Sequence, residues 1–279
     1  MAHRAASIAP VVHGMTQRMR RRAAGEVATT RAVHEARSLP LSSQDWACVR
    51  PYLPFGLVLP ETAGPIERAQ GALKRMLLTL RLHPGQKVPM DDIAQDLSIS
   101  RTPVREAMRL LEGEGLVRAL PNRGFAVRVT SIEDTVHLFD ARACIETATT
   151  VAAFDRRNDR FLEEIQAIEQ TYRRVLTTTM NRRLAMVCDK AFHLRISEQA
   201  CNPVLTKLQG ALFDTLTFTR ALDGFPPERG LAAITEHEEI LVAFRGSSRE
   251  RVRKAAMANV TRGRDSIVAY LRAASFEVV

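Results

Sequence analysis

Cysteine is scarce in this chain: the four present, Cys48, Cys144, Cys188 and Cys201, stand far apart with no Cys-x-x-Cys pair. That spacing excludes a zinc ribbon or a disulfide framework and fits a reducing, cytoplasmic setting. Long hydrophobic runs are missing too. Nothing approaches the roughly 18 consecutive apolar residues of a membrane span, and the N-terminus lacks the short apolar core of a secretory signal. Nucleotide-binding glycine loops and the Gly-x-Ser-x-Gly elbow are absent, and His237-Glu-Glu-Ile-Leu241 lacks the second histidine of a His-Glu-x-x-His metalloprotease helix. These absences argue against an enzyme.

What the chain does have is positive charge. Its 279 residues carry a formal charge of +9, with 40 Lys and Arg against 31 Asp and Glu. Such a surplus favours a polyanionic partner, because clustered cations release the counterions condensed on phosphates. The surplus is uneven. Residues 1–60 hold 8 Arg against 3 acids, residues 61–130 hold 11 basic against 8 acidic residues, and residues 131–279 are nearly balanced at 21 against 20. An anion-binding front end is therefore joined to a neutral module with another task.

Residues 1–60 mix Ala, Arg, Ser, Thr and Pro without periodicity and include the run Arg18-Met-Arg-Arg-Arg22. They are expected to be a disordered basic extension, either an arm that touches DNA or a solvated tail. From Ile66 the pattern changes, as Ile66, Ala69, Leu73, Met76, Leu77 and Leu80 recur at helical spacing up to the breaker His83-Pro84-Gly85. A short helix follows over about 90–97, then the turn Ser98-Ile99-Ser100, then a helix from Arg101 to about Glu114, stopped by Gly115. Two strand-like runs, 116–120 and 125–129, flank the turn cluster Pro121-Asn122-Arg123-Gly124. Residues 61–130 thus read as three helices and a β-hairpin, a winged helix-turn-helix.

In the third helix, Ser100 or Thr102 can cap the free N–H groups, and Pro103 is tolerated in the first turn. Arg101, Thr102 and Arg105 stand at its amino end, where phosphates and groove edges are approached; Val104, Ala107, Leu110 and Leu111 supply the buried side. The run SRTPVREAMRLLEGEGLV followed by PNRGFAVRV resembles the winged helix-turn-helix of the GntR family of transcription regulators over residues 65–130. The resemblance implies that Arg101, Thr102 and Arg105 contact operator DNA and that Asn122, Arg123 and Gly124 place the wing tip along the backbone or minor groove. It also exposes a departure. The family often carries an arginine ten residues before Arg101, where this chain has Asp91.

After Thr130 the chain reads as helix throughout, beginning at the capping box Ser131/Asp134 with an apolar stripe of Val136, Phe139, Ala143, Ile145 and Ala148. Further helices are expected over 159–179, 182–199, 203–222, 231–245 and 248–273, so residues 131–279 form an all-α bundle. Asp189 and His193, four residues apart, share one helix face, which suits either a surface ion pair or a common metal. With His237 they resemble the FCD effector domain of the FadR-like branch, a bundle of six or seven helices whose pocket often holds a divalent metal on an Asp and three His. That resemblance assigns Asp189, His193 and His237 to an ion of the Zn, Ni or Mn class. The fourth position breaks the pattern. Counting from His237 gives Asn259, and counting from Met257 gives Val260, neither of them a histidine. Arg142 and Glu146 match the family's Arg-x-x-x-Glu, which implies that Arg142 meets an effector carboxylate; an intrahelical ion pair is the alternative.

The whole reading is a mainly α, homodimeric repressor of double-stranded operator DNA, released by a small organic acid, with no membrane partner. Its rivals are a ligand-independent DNA-binding protein and a metal-dependent enzyme in the C-terminal domain.

Overall fold

The computed structural model describes residues 42–52, 62–78, 81–121, 123–179, 181–223 and 227–276. The Arg18–Arg22 run, Leu80 and the wing-tip Asn122 lie outside the described residues.

Three helices and a hairpin form the layer expected to bind DNA. Helix α2 (Pro65–Leu78) opens with Pro at its first position, and Glu67 accepts the Gly64 N–H at 2.9 Å. Its stripe Ala69, Leu73 and Leu77 is fully buried, whereas Ile66 remains exposed. Helix α3 (Met90–Asp96) leads through Ser98, at φ +53°, into α4 (Arg101–Gly113). Ser100 is the N-cap of α4, but its side chain makes no capping hydrogen bond, so the expected Ser100 cap is corrected. The buried face of α4 is Val104, Ala107, Met108 and Leu111. Leu110, expected inside, is 50% exposed, since the 3.6-residue period puts Met108 beside Val104 and Leu111 and turns Leu110 outward. Gly115, at φ +74°, ends the helix in a conformation that other residues rarely adopt.

Strands β1 (Val117–Leu120) and β2 (Gly124–Val127) pair antiparallel, Val117 opposite Val127 and Leu120 opposite Gly124. The segment before α3 joins this wing by an unforeseen bridge, Lys87 to Ala126, with the Val88 N–H donating to the Phe125 carbonyl at 2.8 Å.

Six helices follow: α5 (Ile132–Asp155), α6 (Asp159–Arg174) with a wide turn Val175–Thr179, α7 (Arg182–Gln199), α8 (Pro203–Asp223), α9 (Pro227–Arg245) and α10 (Arg249–Phe276). The Ser131/Asp134 capping box is formed. Asn158 and Asn181 cap α6 and α7 by accepting the Phe161 and Leu184 N–H groups. Helix α5 packs along α10 and also meets α7 and α8. Its expected apolar stripe is fully buried only at Phe139. Val136, Ala143 and Ile145 are half-buried and Ala148 is exposed, while the fully buried face runs Thr135, Phe139, Arg142, Glu146 and Thr149.

The expected disordered extension is also corrected in part. Residues Ser43–Val49 form a short helix, α1, continued by a 3-10 turn, Arg50–Tyr52, and both lie against α7, with α1 also on α6. Asp45 accepts from Thr171 Oγ1 at 2.9 Å and from Arg174, and it completes a capping box with Ser42. Tyr52 donates its hydroxyl to Glu198 at 2.9 Å. A seven-residue helix is too short to persist alone, so docking holds it. Burial would push the Asp45 carboxyl up, but hydrogen bonds from Ser42, Arg174 and Thr171 outweigh it and hold the group below the usual carboxylate range. Its contribution is therefore complete above about pH 4 and is lost as the pH falls through the lowered value. Asp45→Ala is expected to weaken docking by about 1–2 kcal/mol, read as faster amide exchange over residues 42–52 at pH 7; unchanged exchange would contradict it.

Candidate functional site

Two sites take shape, one on the winged layer and one in the helical bundle. At the first, α4 presents Arg101, Thr102 and Arg105, all exposed, at its amino end. Arg123 is exposed on the wing, and Gly124 follows it at φ +86°, where a Cβ would stand 3.4 Å from Met90 Cε. Arg101 is gripped side-on by Asp91, its Nε and Nη2 donating to the two carboxylate oxygens. Both residues stood out in the sequence; their pairing did not.

The second site lies inside the helical bundle. Asp189 and His193 on α7 and His237 in the middle of α9 bring ligand atoms within 4.8 Å of one another. Each imidazole is fixed through Nδ1 by a buried carboxylate from another helix. Glu146 Oε2 on α5 stands 3.0 Å from His193, and Glu169 Oε2 on α6 stands 2.6 Å from His237. The Nε2 atoms of both rings turn toward Asp189 Oδ1, at 3.9 Å for His193 and 3.4 Å for His237, and neither has a hydrogen-bond partner among the described residues. Aromatic rings hold the imidazoles in place: Phe192 stacks on His237 at 4.2 Å and Phe213 on His193 at 5.3 Å. Gln209 of α8 joins α5 to α7, accepting from Thr149 at 3.1 Å and donating to the His193 carbonyl at 3.3 Å.

The electrostatics are those of a cation site. Three carboxylates surround the two imidazoles: Glu146 beside His193, Glu169 beside His237, and Asp189 toward both, with Arg142 on Glu146 and the charge of Arg229 felt at Asp189. Burial would raise the Glu146 carboxyl, but Arg142 and His193 overcome this and bring it to about 2. Burial would likewise favour a neutral His237, yet the Asp189 and Glu169 carboxylates push that ring up to about 9. A proton thus supplies positive charge that a divalent ion could supply instead, with both imidazoles bound through Nε2 and oriented by carboxylates on Nδ1. The donor set, one carboxylate and two imidazoles, fits a first-row divalent metal.

Arg142 is 3% exposed, lies 4.2 Å over the Phe213 ring, and turns its Nε to Glu146. The intrahelical pair is thus formed, and it links Arg142 through Glu146 to His193. Asn259, on α10, is buried and donates through Nδ2 to Glu236 at 3.0 Å, while Arg229 grips the same carboxylate. Val260 packs with Phe139, Leu216 and Ile267 in an apolar cluster, so of the two counts only Asn259 offers a polar atom. Sequence reasoning missed Glu169 and Arg229; no local pattern marks either. A groove of about 450 Å³ opens between α9 and α10 over the Arg229–Glu236 pair.

Helix α8 joins the two layers that carry these sites. Phe218 is 1% exposed within the apolar cluster of the DNA-binding layer, together with Leu73, Leu77 and Leu111, and Thr215 donates to the Glu114 carbonyl at 3.3 Å.

Comparison with known proteins agrees with this two-part plan. Residues 65–127 match the model of bacterial regulatory proteins of the gntR family, and residues 137–262 match that of the FCD domain. The chain is 24% identical over 188 residues to the uncharacterized HTH-type transcriptional regulator YdhC of Bacillus subtilis, covering 67% of this chain and 84% of that one. It is 27% identical over 150 residues to the Nta operon transcriptional regulator of Aminobacter aminovorans, covering 53% and 70% respectively. Among solved structures, E. coli McbR/YncC aligns with a TM-score of 0.63 at 18% identity, over 76% of this chain and all of that one. A regulator from Rhodococcus sp. RHA1 aligns at 0.59 and 21% identity, over 75% and 98%. These likenesses establish the fold, and no described helix is long and apolar enough to cross a membrane. The chain belongs to the GntR family of DNA-binding transcriptional regulators, with an FCD effector domain behind its winged helix-turn-helix.

Proposed function

We propose that the chain is a homodimeric, cytoplasmic repressor that binds operator DNA through Arg101, Thr102 and Arg105 of α4 and through the wing at Asn122, Arg123 and Gly124, and that a small carboxylate in the helical domain releases it. Two-fold pairing would present two α4 helices to the half-sites of a palindromic operator. The observation that carries the effector reading is the pair of buried imidazoles whose Nε2 atoms turn toward Asp189 and make no hydrogen bond among the described residues, with Arg142 linked to His193 through Glu146. Asp189, His193 and His237 would hold one divalent ion of the Zn, Ni or Mn class, with Asn259 the candidate for a further oxygen. When bound, that ion supplies positive charge for a carboxylate oxygen. Arg142 keeps Nε on Glu146 and offers the rest of its fork to the same carboxylate. No catalytic role is assigned: the named relatives are regulators, and the site reads its ligand rather than converting it.

Ligand affects DNA only if it binds one dimer geometry better than another, and α8, with Phe213 on His193 and Phe218 in the DNA-binding core, is the element both sites share. The test is operator selection from random DNA with divalent metals and a panel of carboxylic acids. One palindrome weakened by one acid is expected. Tighter binding with that acid would reverse the sign, and indifference to every acid and metal would leave a ligand-independent DNA binder. Two variants separate the sites. Arg105→Ala should weaken operator binding about tenfold or more with ligand binding intact, and Arg142→Ala should abolish the response to the acid while sparing operator binding. Joint loss in both variants would instead indicate misfolding.

A further inference from the structure

Asp91 and Arg101 form one unit at the front of the DNA-reading layer. Asp91 is the second residue of α3 and Arg101 the first of α4, and their side chains are 62% and 75% exposed. An ion pair so open to solvent adds little to stability, so its purpose lies outside the fold. Its geometry indicates what that purpose is. The carboxylate takes Arg101 along one side, through Nε and Nη2. A guanidinium has five N–H donors, so Nη1 and the outer Nη2 hydrogen stay available, and these form the edge that matches the N7 and O6 acceptors of guanine in the major groove. The hydrogen bonds from Arg101 hold the Asp91 carboxyl below the usual range, so it is charged at neutral pH.

We propose that Asp91 is a specificity-determining residue: it fixes Arg101 as a guanine-reading fork and cancels its charge, so that the pair discriminates bases without attracting phosphate. An isolated arginine here would bind any phosphate within reach and gain from counterion release on every sequence. Held by Asp91, the same side chain keeps one orientation and adds nothing to the net charge that non-specific binding draws on. Asp91 thus exchanges general affinity for discrimination. The inference rests on the reading of α4 as the helix that enters the groove.

The test uses the full chain and its Asp91→Asn, Asp91→Ala and Arg101→Ala variants. Each is titrated with the selected operator, with the operator altered at each guanine in turn, and with an unrelated duplex, at several salt concentrations. Asp91→Asn and Asp91→Ala should strengthen binding to the unrelated duplex, with a log–log salt slope steeper by about one per protomer. The ratio of operator to unrelated affinity should fall by about tenfold or more. Arg101→Ala should remove the preference for one guanine per half-site, and adding Asp91→Ala to it should cost no further discrimination. Asp91 variants with the parent's ratio and slope would overturn the proposal, as would an operator in which no guanine depends on Arg101. If the unsubstituted protein selects no sequence at all, the DNA-reading role of α4 fails and this proposal fails with it.

Discussion

Glu146→Ala is expected to destabilise the protein by about 3–5 kcal/mol, because it leaves the Arg142 guanidinium buried and unpaired. The pair is enclosed, each side chain being 3% exposed, and Glu146 also holds His193 Nδ1 at 3.0 Å. One substitution therefore strands a charge and frees a ring. Removing both charges is a different perturbation. In Arg142→Leu/Glu146→Leu the desolvation cost disappears with the attraction, so most of the stability should return, as apolar replacement of buried pairs often permits. The measurement is the urea midpoint at neutral pH for the single and double variants. A loss below about 1 kcal/mol in Glu146→Ala, the range of exposed pairs, would mean that water reaches the pair. A second readout follows from the same contact: divalent-metal affinity should fall about 10- to 100-fold when the carboxylate that orients His193 is removed.

Phe218→Ala is expected to cost about 3–5 kcal/mol, the range for emptying a buried phenylalanine site, but its consequence reaches further. Phe218 belongs to α8 of the helical bundle, yet it is buried among Leu73, Leu77 and Leu111 of the DNA-binding layer. Five residues earlier, Phe213 stacks on His193 and lies beneath Arg142. Truncating Phe218 should therefore turn a single cooperative unfolding transition into two, and reduce the effect of metal or carboxylate on operator affinity. Phe218→Leu, which keeps most of the volume, should cost less than about 1.5 kcal/mol and preserve the single transition. Persistence of one transition in Phe218→Ala would show that the two layers are joined by other contacts.

The elements of the DNA-binding layer were legible because each is specified by its own residues. The spacing from Ile66 marks α2 and Gly115 stops α4, and in the bundle Ser131 with Asp134 opens α5 in the same way. Helix α1 was not legible, since seven residues have too little propensity to announce a helix that Asp45, Thr171 and Arg174 hold only after folding. Helix α5 misled for the opposite reason. Periodicity assigns the inside to apolar residues, but its buried face carries Arg142, Glu146 and Thr149, because that face lines a polar site. Asp189 and His193 were visible as an i,i+4 pair, whereas Glu169 sits 68 residues before the His237 it orients.

By itself the sequence determined the order of the helices, the position of the wing, the residues at the amino end of α4 and the shared helix face of Asp189 and His193. These follow from turn chemistry, capping and helical spacing, whose reach is a few residues along the chain. Only the tertiary structure decided that Glu146 and Glu169 hold the two imidazoles, that Asp91 grips Arg101, and that Phe218 belongs to the core of the other layer. Those choices depend on which helix faces meet and on what a buried charge must find when water is excluded, and neither is encoded within a single turn of helix.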